Sequence, residues 1–207
     1  YAAGERGKKL AARKEEMLSV IYRILTSCLG EPPTEFTYAV KSADGRPMKE
    51  EKYTPLSFYQ RFVGWDLENN YVLLMNDPTR PYYKTYAIDL DRHTYDGHNW
   101  TYLNLPIEEI KQMAIASIKD SVRMYMSCDV GKFYNKKSGV LSLNNYDYGS
   151  LFNTDFPMSK AERISTFASA SSHAMTLCAV DLDDKGQPRK WKVENSWGLN
   201  SGVGGHL

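Results

Sequence analysis

Two residues near the end of the 207-residue sequence have types and spacing that can do chemistry together: His173 and Asn195. Between them lie two apolar runs, Ala174–Leu182 and Trp191–Val193, separated by the turn cluster Asp183-Asp184-Lys185-Gly186-Gln187-Pro188. Such runs about a Gly- and Pro-containing turn predict a β-hairpin, with Gly186 supplying a positive φ. The midpoint of the two positions falls inside the turn, so antiparallel pairing brings the His and the Asn to the same end of the hairpin. A histidine oriented by a neutral amide is the supporting half of a Cys–His–Asn group for nucleophilic catalysis. The expected arrangement has Asn195 accepting from the imidazole Nδ1–H, which fixes the tautomer and leaves Nε2 toward a substrate. Trp191, Val193, Asn195 and Trp197 share one strand face, so Trp197 can cover the His–Asn hydrogen bond and keep water from it. Gly198, Gly202, Gly204 and Gly205 then allow tight turns beside it. A Trp-rich strand running into a Gly-rich turn is also what a barrel rim looks like.

The other half of such a group is a thiol that becomes a thiolate beside the imidazole. The three cysteines, Cys28, Cys128 and Cys178, are an odd number, far apart, in apolar contexts and without metal-ligand spacing. That suits buried thiols better than a disulfide framework. Cys178 lies five residues along the strand from His173, roughly 16 Å away at ~3.3 Å per residue and on the opposite sheet face. Cys28 and Cys128 read as packed. No Gly-x-Ser-x-Gly elbow offers a serine instead. His93 and His98 form a close pair, but no Cys, Glu or His stands beside them at zinc spacing, so the expectation is a loop and no metal. Asn99-Trp100-Thr101 matches a glycosylation acceptor, which carries no weight without evidence of secretion.

Several elements must position these residues. An amphipathic helix is predicted over 5–29, with Met17, Val20, Ile21, Ile24, Leu25 and Cys28 on one stripe and Gly30 as C-cap before Pro32-Pro33. A strand over Phe36–Val40 leads to a turn at Ser42-Ala43-Asp44-Gly45. A second helix begins at Thr54 as N-cap with Pro55 at its first position, burying Leu56, Tyr59, Phe62 and Val63. Val72–Met75 and Tyr82–Leu90 read as strands about the turn Asn76-Asp77-Pro78. Residues 93–105 have no assigned element. The clearest helix runs over Pro106–Lys119, with Ile107, Ile110, Ala114 and Ile118 on one face. Alternation of Val122, Met124, Met126, Cys128 and Val130 with polar residues predicts a half-buried strand. Gly131–Ser138 reads as a polar loop. Residues 142–170 show no period beyond a short helical turn at Lys160–Ile164.

A sequence with 42% hydrophobic and 25% charged residues can bury a real core. Its net charge of +1 gives no reason to expect nucleic acid or an anionic membrane. Lys8, Lys9, Arg13 and Lys14 are diluted by Glu5, Glu15 and Glu16 and read as a solvated helix face. No apolar run is long enough to span a membrane and no signal peptide stands at the start. Because the first residue is Tyr, the chain is expected to be processed or a fragment. With no repeat or low-complexity linker, 1–207 reads as one compact unit, helical with hairpins over 1–104 and β-rich over 105–207.

At Ser172-His173-Ala174-Met175 and Trp191-Lys192-Val193-Glu194-Asn195-Ser196-Trp197-Gly198 the sequence resembles the His and Asn blocks of papain-like cysteine peptidases. In detail it is similar to the bleomycin hydrolase and bacterial aminopeptidase C branch. Leu25–Thr37 (LTSCLGEPPTEFT), Tyr53–Tyr59 (YTPLSFY), Asn76-Asp77-Pro78, Leu105-Pro106-Ile107-Glu108, Ala116–Asp120 (ASIKD), Cys128–Lys132 (CDVGK) and Lys160-Ala161-Glu162-Arg163 extend the resemblance nearly end to end. It implies an α+β papain-like fold, mainly the antiparallel β-barrel-like half plus helical elements, incomplete at both ends. It implies that His173 is the catalytic base and acid, that Asn195 orients it, and that Trp197 covers their bond. The nucleophilic Cys and an oxyanion-hole Gln are expected in a segment before Tyr1, so the 207 residues alone are expected to be inactive. Also implied are peptide substrates, no cofactor, a cytoplasmic location and a homohexamer whose sites face an internal cavity. His206 stands where the family usually has Tyr. The competing expectation is a catalytically inactive papain-like protein that binds peptides or partner subunits.

Overall fold

The computed structural model describes residues 7–207, and the first residues of the predicted 5–29 helix lie outside them. Contacts group the chain into two compact units divided between Tyr71 and Val72. A change of character after residue 104 was expected instead. That position is bridged by hydrogen bonds: Leu105 N–H donates to the Met75 carbonyl at 3.0 Å and Asn76 Nδ2 to the Leu105 carbonyl at 2.9 Å.

The first unit carries α1 (Lys8–Leu29), the β1–β2 hairpin (Phe36–Tyr38 and Glu51–Tyr53), α2 (Pro55–Phe62) and the short α3 (Leu67–Asn70). Gly30 ends α1 with φ 83°, its N–H bonded to the Thr26 carbonyl. None of α1's residues is buried, and Cys28 is exposed, contrary to the core position expected for it. The apolar stripe exists, but its residues stay open: Met17 is 59% and Ile24 58% exposed. Thr54 and Ser57 close a capping box at the start of α2. The buried side of α2 differs from the predicted one, since Leu56 is 65% exposed. Aromatic pairing selects the face instead. Phe58 and Phe62, one turn apart, pack on Phe36, Tyr38 and Tyr53 of the hairpin with ring centroids 5.2–5.8 Å apart.

In the second unit, β3 (Leu73–Met75), β4 (Lys84–Ala87) and β5 (Thr101–Asn104) form a sheet in the order β3-β5-β4. β5 falls in the stretch left without an element, where polar and aromatic residues mask the alternation. Asn104, fully buried, ends β5 and ties the 76–81 turn together. Its Nδ2 donates to the carbonyls of Asp77, Arg80 and Pro81, and its Oδ1 accepts from Asp77 N–H. α4 (Ile107–Lys119) leads to β6 (Met124–Cys128), followed by a small β7–β8 hairpin (Tyr134–Asn135 and Val140–Leu141), α5 (Tyr148–Phe152) and α6 (Lys160–Ser165). The predicted loop 131–138 thus contains β7.

The chain closes with β9 (His173–Leu182) and β10 (Pro188–Glu194), in a sheet ordered β10-β9-β6. Ala114 of α4 packs with Val130, Met175, Leu177 and Val193 as its buried core, and Met124, Met126 and Cys128 lie against that cluster. Cys128 is therefore a packed residue of this sheet, as its alternation predicts. At the end of β10, Val193 and Leu207 exchange both backbone hydrogen bonds, and just beyond it Asn195 N–H donates to the Gly205 carbonyl. The last residues thereby extend the sheet beside β10.

Candidate active site

The β9–β10 hairpin forms about the predicted turn. Gly186 has φ 75°, and its N–H and that of Gln187 are held by the Asp183 carbonyl and carboxylate. Trp191 pairs with Val180, Val193 with Leu177 and Glu194 with Thr176. This register brings the start of β9 beside the residues that follow β10. His173 and Asn195 meet there, with Nε2 2.9 Å from Oδ1.

The nitrogen in contact is not the expected one. Asn195 Oδ1 also accepts the Ser196 backbone N–H at 2.8 Å. An amide NH₂ cannot accept that proton, so the atom facing the imidazole is the oxygen, an acceptor only. His173 Nε2 therefore carries the hydrogen and donates it. Neutral His173 has its lone pair on Nδ1, which is the nitrogen left to exchange a proton with a reacting group. The expectation reversed the two because pairing registers say which residues meet, not how a ring is turned about χ1 and χ2.

Trp197 stacks on the His173 ring, with centroids 4.5 Å apart and planes 22° from parallel. Tyr134 of β7 lies against the indole with ring centroids 5.8 Å apart and planes tilted by 49°, and its hydroxyl lies 3.3 Å from Ser201 Oγ. Close backbone approach sets this turn. A Cβ on Gly202, where φ is 65°, would lie 2.0 Å from the His206 carbonyl oxygen, and one on Gly139 would lie 2.8 Å from Gly202 Cα.

The start of β9 is fixed to β6. Cys128 and His173 are direct cross-strand partners, Ser127 Oγ donates to the His173 carbonyl at 3.0 Å, and Ser172 Oγ accepts from Val130 N–H at 3.1 Å. Sequence reading missed Ser127, Ser172 and Tyr134 as supports. A serine in an alternating strand and a tyrosine in a basic loop carry no local sign of what they face.

Cys128 is thus the thiol directly across the strand pair from His173. Burial pushes it up from the usual thiol range, and the neighbouring Asp129 carboxylate adds to the shift. A nucleophilic thiol requires the opposite shift. Cys178 sits farther along β9, so neither cysteine of this unit completes the group. His93 lies edge-on to Trp100 at 6.3 Å.

Residues 1–207 match the family described as Peptidase C1-like. The chain belongs to the Peptidase C1-like family. It is 37% identical to "Aminopeptidase C" of Lactobacillus delbrueckii subsp. lactis, over 99% of this chain and 45% of that protein. It is 38% identical to human "Bleomycin hydrolase", over 96% of this chain and 45% of the relative. The crystal structure of pepw from Lactobacillus rhamnosis HN001 superposes on it with a TM-score of 0.88 at 37% identity, covering 100% of this chain and 46% of that one. The α+β papain-like fold expected from the sequence is therefore the fold this Peptidase C1-like chain has. The chain spans about half the length of the curated relatives it matches. No helix among the described residues is long and apolar enough to cross a membrane.

Proposed function

We propose that the protein carrying this chain is a cysteine aminopeptidase acting on peptides, with His173 as base and acid, Asn195 as the residue that orients it and Trp197 as its cover. The observation that carries this reading is the His173 Nε2–H···Oδ1 Asn195 bond beneath the Trp197 ring. The nucleophilic Cys is assigned to sequence outside these 207 residues.

His173 Nδ1 takes the proton of that thiol, giving a thiolate and an imidazolium whose Nε2–H remains on Asn195. The thiolate attacks the peptide carbonyl, the C–N bond breaks, and Nδ1–H protonates the departing amine. Water then attacks the thioester as it passes a proton to Nδ1; the C–S bond breaks, the carboxylic acid product leaves, and Nδ1–H returns the proton to the sulfur. A neutral amide suits this cycle. It holds the ring through both charge states without itself titrating, and the stacked indole keeps water from the bond. A cytoplasmic homohexamer is part of the same proposal.

The complete protein should hydrolyse aminoacyl-coumarin substrates and lose that activity on alkylation of its reactive thiol, while the 207-residue chain alone should release no coumarin. Peptide binding by the complete protein without any turnover would favour the inactive, peptide-binding reading.

A further inference from the structure

On the same hairpin, Cys178, Glu194 and His206 each present a ligand atom within 4.8 Å of the others. Each comes from a different strand. Cys178 is on β9, Glu194 is the last residue of β10, and His206 lies on the closing segment, bridged across to Glu194. We propose that these three residues form a binding site for a zinc-class divalent cation that ties the three strands together.

The backbone aims Cys178 at this cluster. Lys192 pairs with Ala179 and Val193 with Leu177, so Cys178 is the extra, unpaired residue of a β-bulge. A bulge breaks the alternation of faces and re-aims a side chain. Val193 and Leu177 turn inward, which leaves Cys178 beside Glu194 on the outer side. Its sulfur sits 3.4 Å from both the Thr176 and Lys192 carbonyl oxygens. Those carbonyls accept from the Cys178 S–H, and a cation binding the sulfur displaces that proton.

His206 has the orientation a ligand needs. Its Nδ1 lies 3.1 Å from the Gly204 carbonyl, an acceptor only, so Nδ1 carries the hydrogen and the Nε2 lone pair is free. A ring N–H held by a backbone carbonyl is the usual outer partner of a metal-binding histidine. Glu194 Oε2 is 3.2 Å from Arg123 Nη1, which leaves Oε1 for a cation. That ion pair is exposed on both sides and weak, so it can give way. One sulfur, one imidazole nitrogen and one carboxylate oxygen select zinc and its neighbours over calcium or magnesium, with water in a fourth position.

A cation here would brace the active end of the hairpin. Asn195 directly follows Glu194, and its N–H is held by Gly205, the residue before His206.

The test uses the complete, reduced protein titrated with Co²⁺, then Zn²⁺. Expected is a sulfur-to-cobalt charge-transfer band that Zn²⁺ displaces. Cys178→Ser should abolish the band. His206→Gln and Glu194→Gln should each weaken Co²⁺ binding by at least the ~100-fold that losing an outer partner can cost. All three should keep aminoacyl-coumarin turnover, which reports an intact fold separately from cation binding. Absence of the band, or a band unchanged in Cys178→Ser and His206→Gln, would overturn the proposal, because the cation would then be bound elsewhere or not at all.

Discussion

At the scale of single residues, the chemistry of the site depends on which atom faces which. His173 and Asn195 were legible from type and spacing, because hairpin register follows from the turn and the apolar pattern. The nitrogen that Asn195 holds was not legible. It follows from Ser196 N–H occupying the same oxygen, a contact no spacing rule encodes. Cys128 shows the same limit. Alternation put it on the inner face of β6, but only the register makes it the cross-strand partner of His173. Burial and the Asp129 carboxylate both raise its pKa, so at a given pH it holds less thiolate than an ordinary thiol. Alkylation by iodoacetamide near neutral pH should therefore label exposed Cys28 well before Cys128, with Cys128 labelling rising as pH increases. Peptide mapping of the time course checks this, and Cys128 reacting as fast as Cys28 would contradict it.

Secondary structure was most readable where periodicity and punctuation agreed. α4, with Pro106 before it and a regular apolar face, and α2, with Thr54 and Pro55 at its start, formed where predicted. Elements held by tertiary pairing were not readable. β5 has no clean alternation and exists because Asn104 and its neighbours pair on both sides, while β7 is two residues that find β8. The buried face of α2 likewise depends on ring packing that propensity does not describe. The glycines of the closing turn divide by the same logic. Gly202→Ala should lower the thermal midpoint of the protein more than Gly186→Ala. Both carry the ~1–2 kcal/mol of a left-handed non-glycine residue, but only Gly202 also meets backbone, at 2.0 Å, while Gly186 faces open space. Equal shifts in the two variants would mean that close approach does not set the turn.

For the molecule as a whole, the chain has a built His–Asn pair, a stacked cover and a buried sheet core, and the thiol across from His173 is shifted away from the thiolate that attack requires. Its family and its relatives' greater length make the proposed division of labour coherent: this portion supplies the base and its orientation, and other sequence supplies the nucleophile. The apolar stripe of α1, exposed along its length, is a whole-molecule feature in the same sense, since the pattern was legible and its burial was not. In the proposed function His173 moves the proton and Asn195 only holds the ring in place. Single-turnover acylation of the complete protein, with His173→Ala and Asn195→Ala compared against the unaltered enzyme, tests this most directly. Near-total loss of acylation is expected in His173→Ala, by at least the ~10²–10⁴-fold of a lost general base, with a smaller, partial loss in Asn195→Ala. Acylation persisting in folded His173→Ala, or falling equally far in both variants, would contradict it.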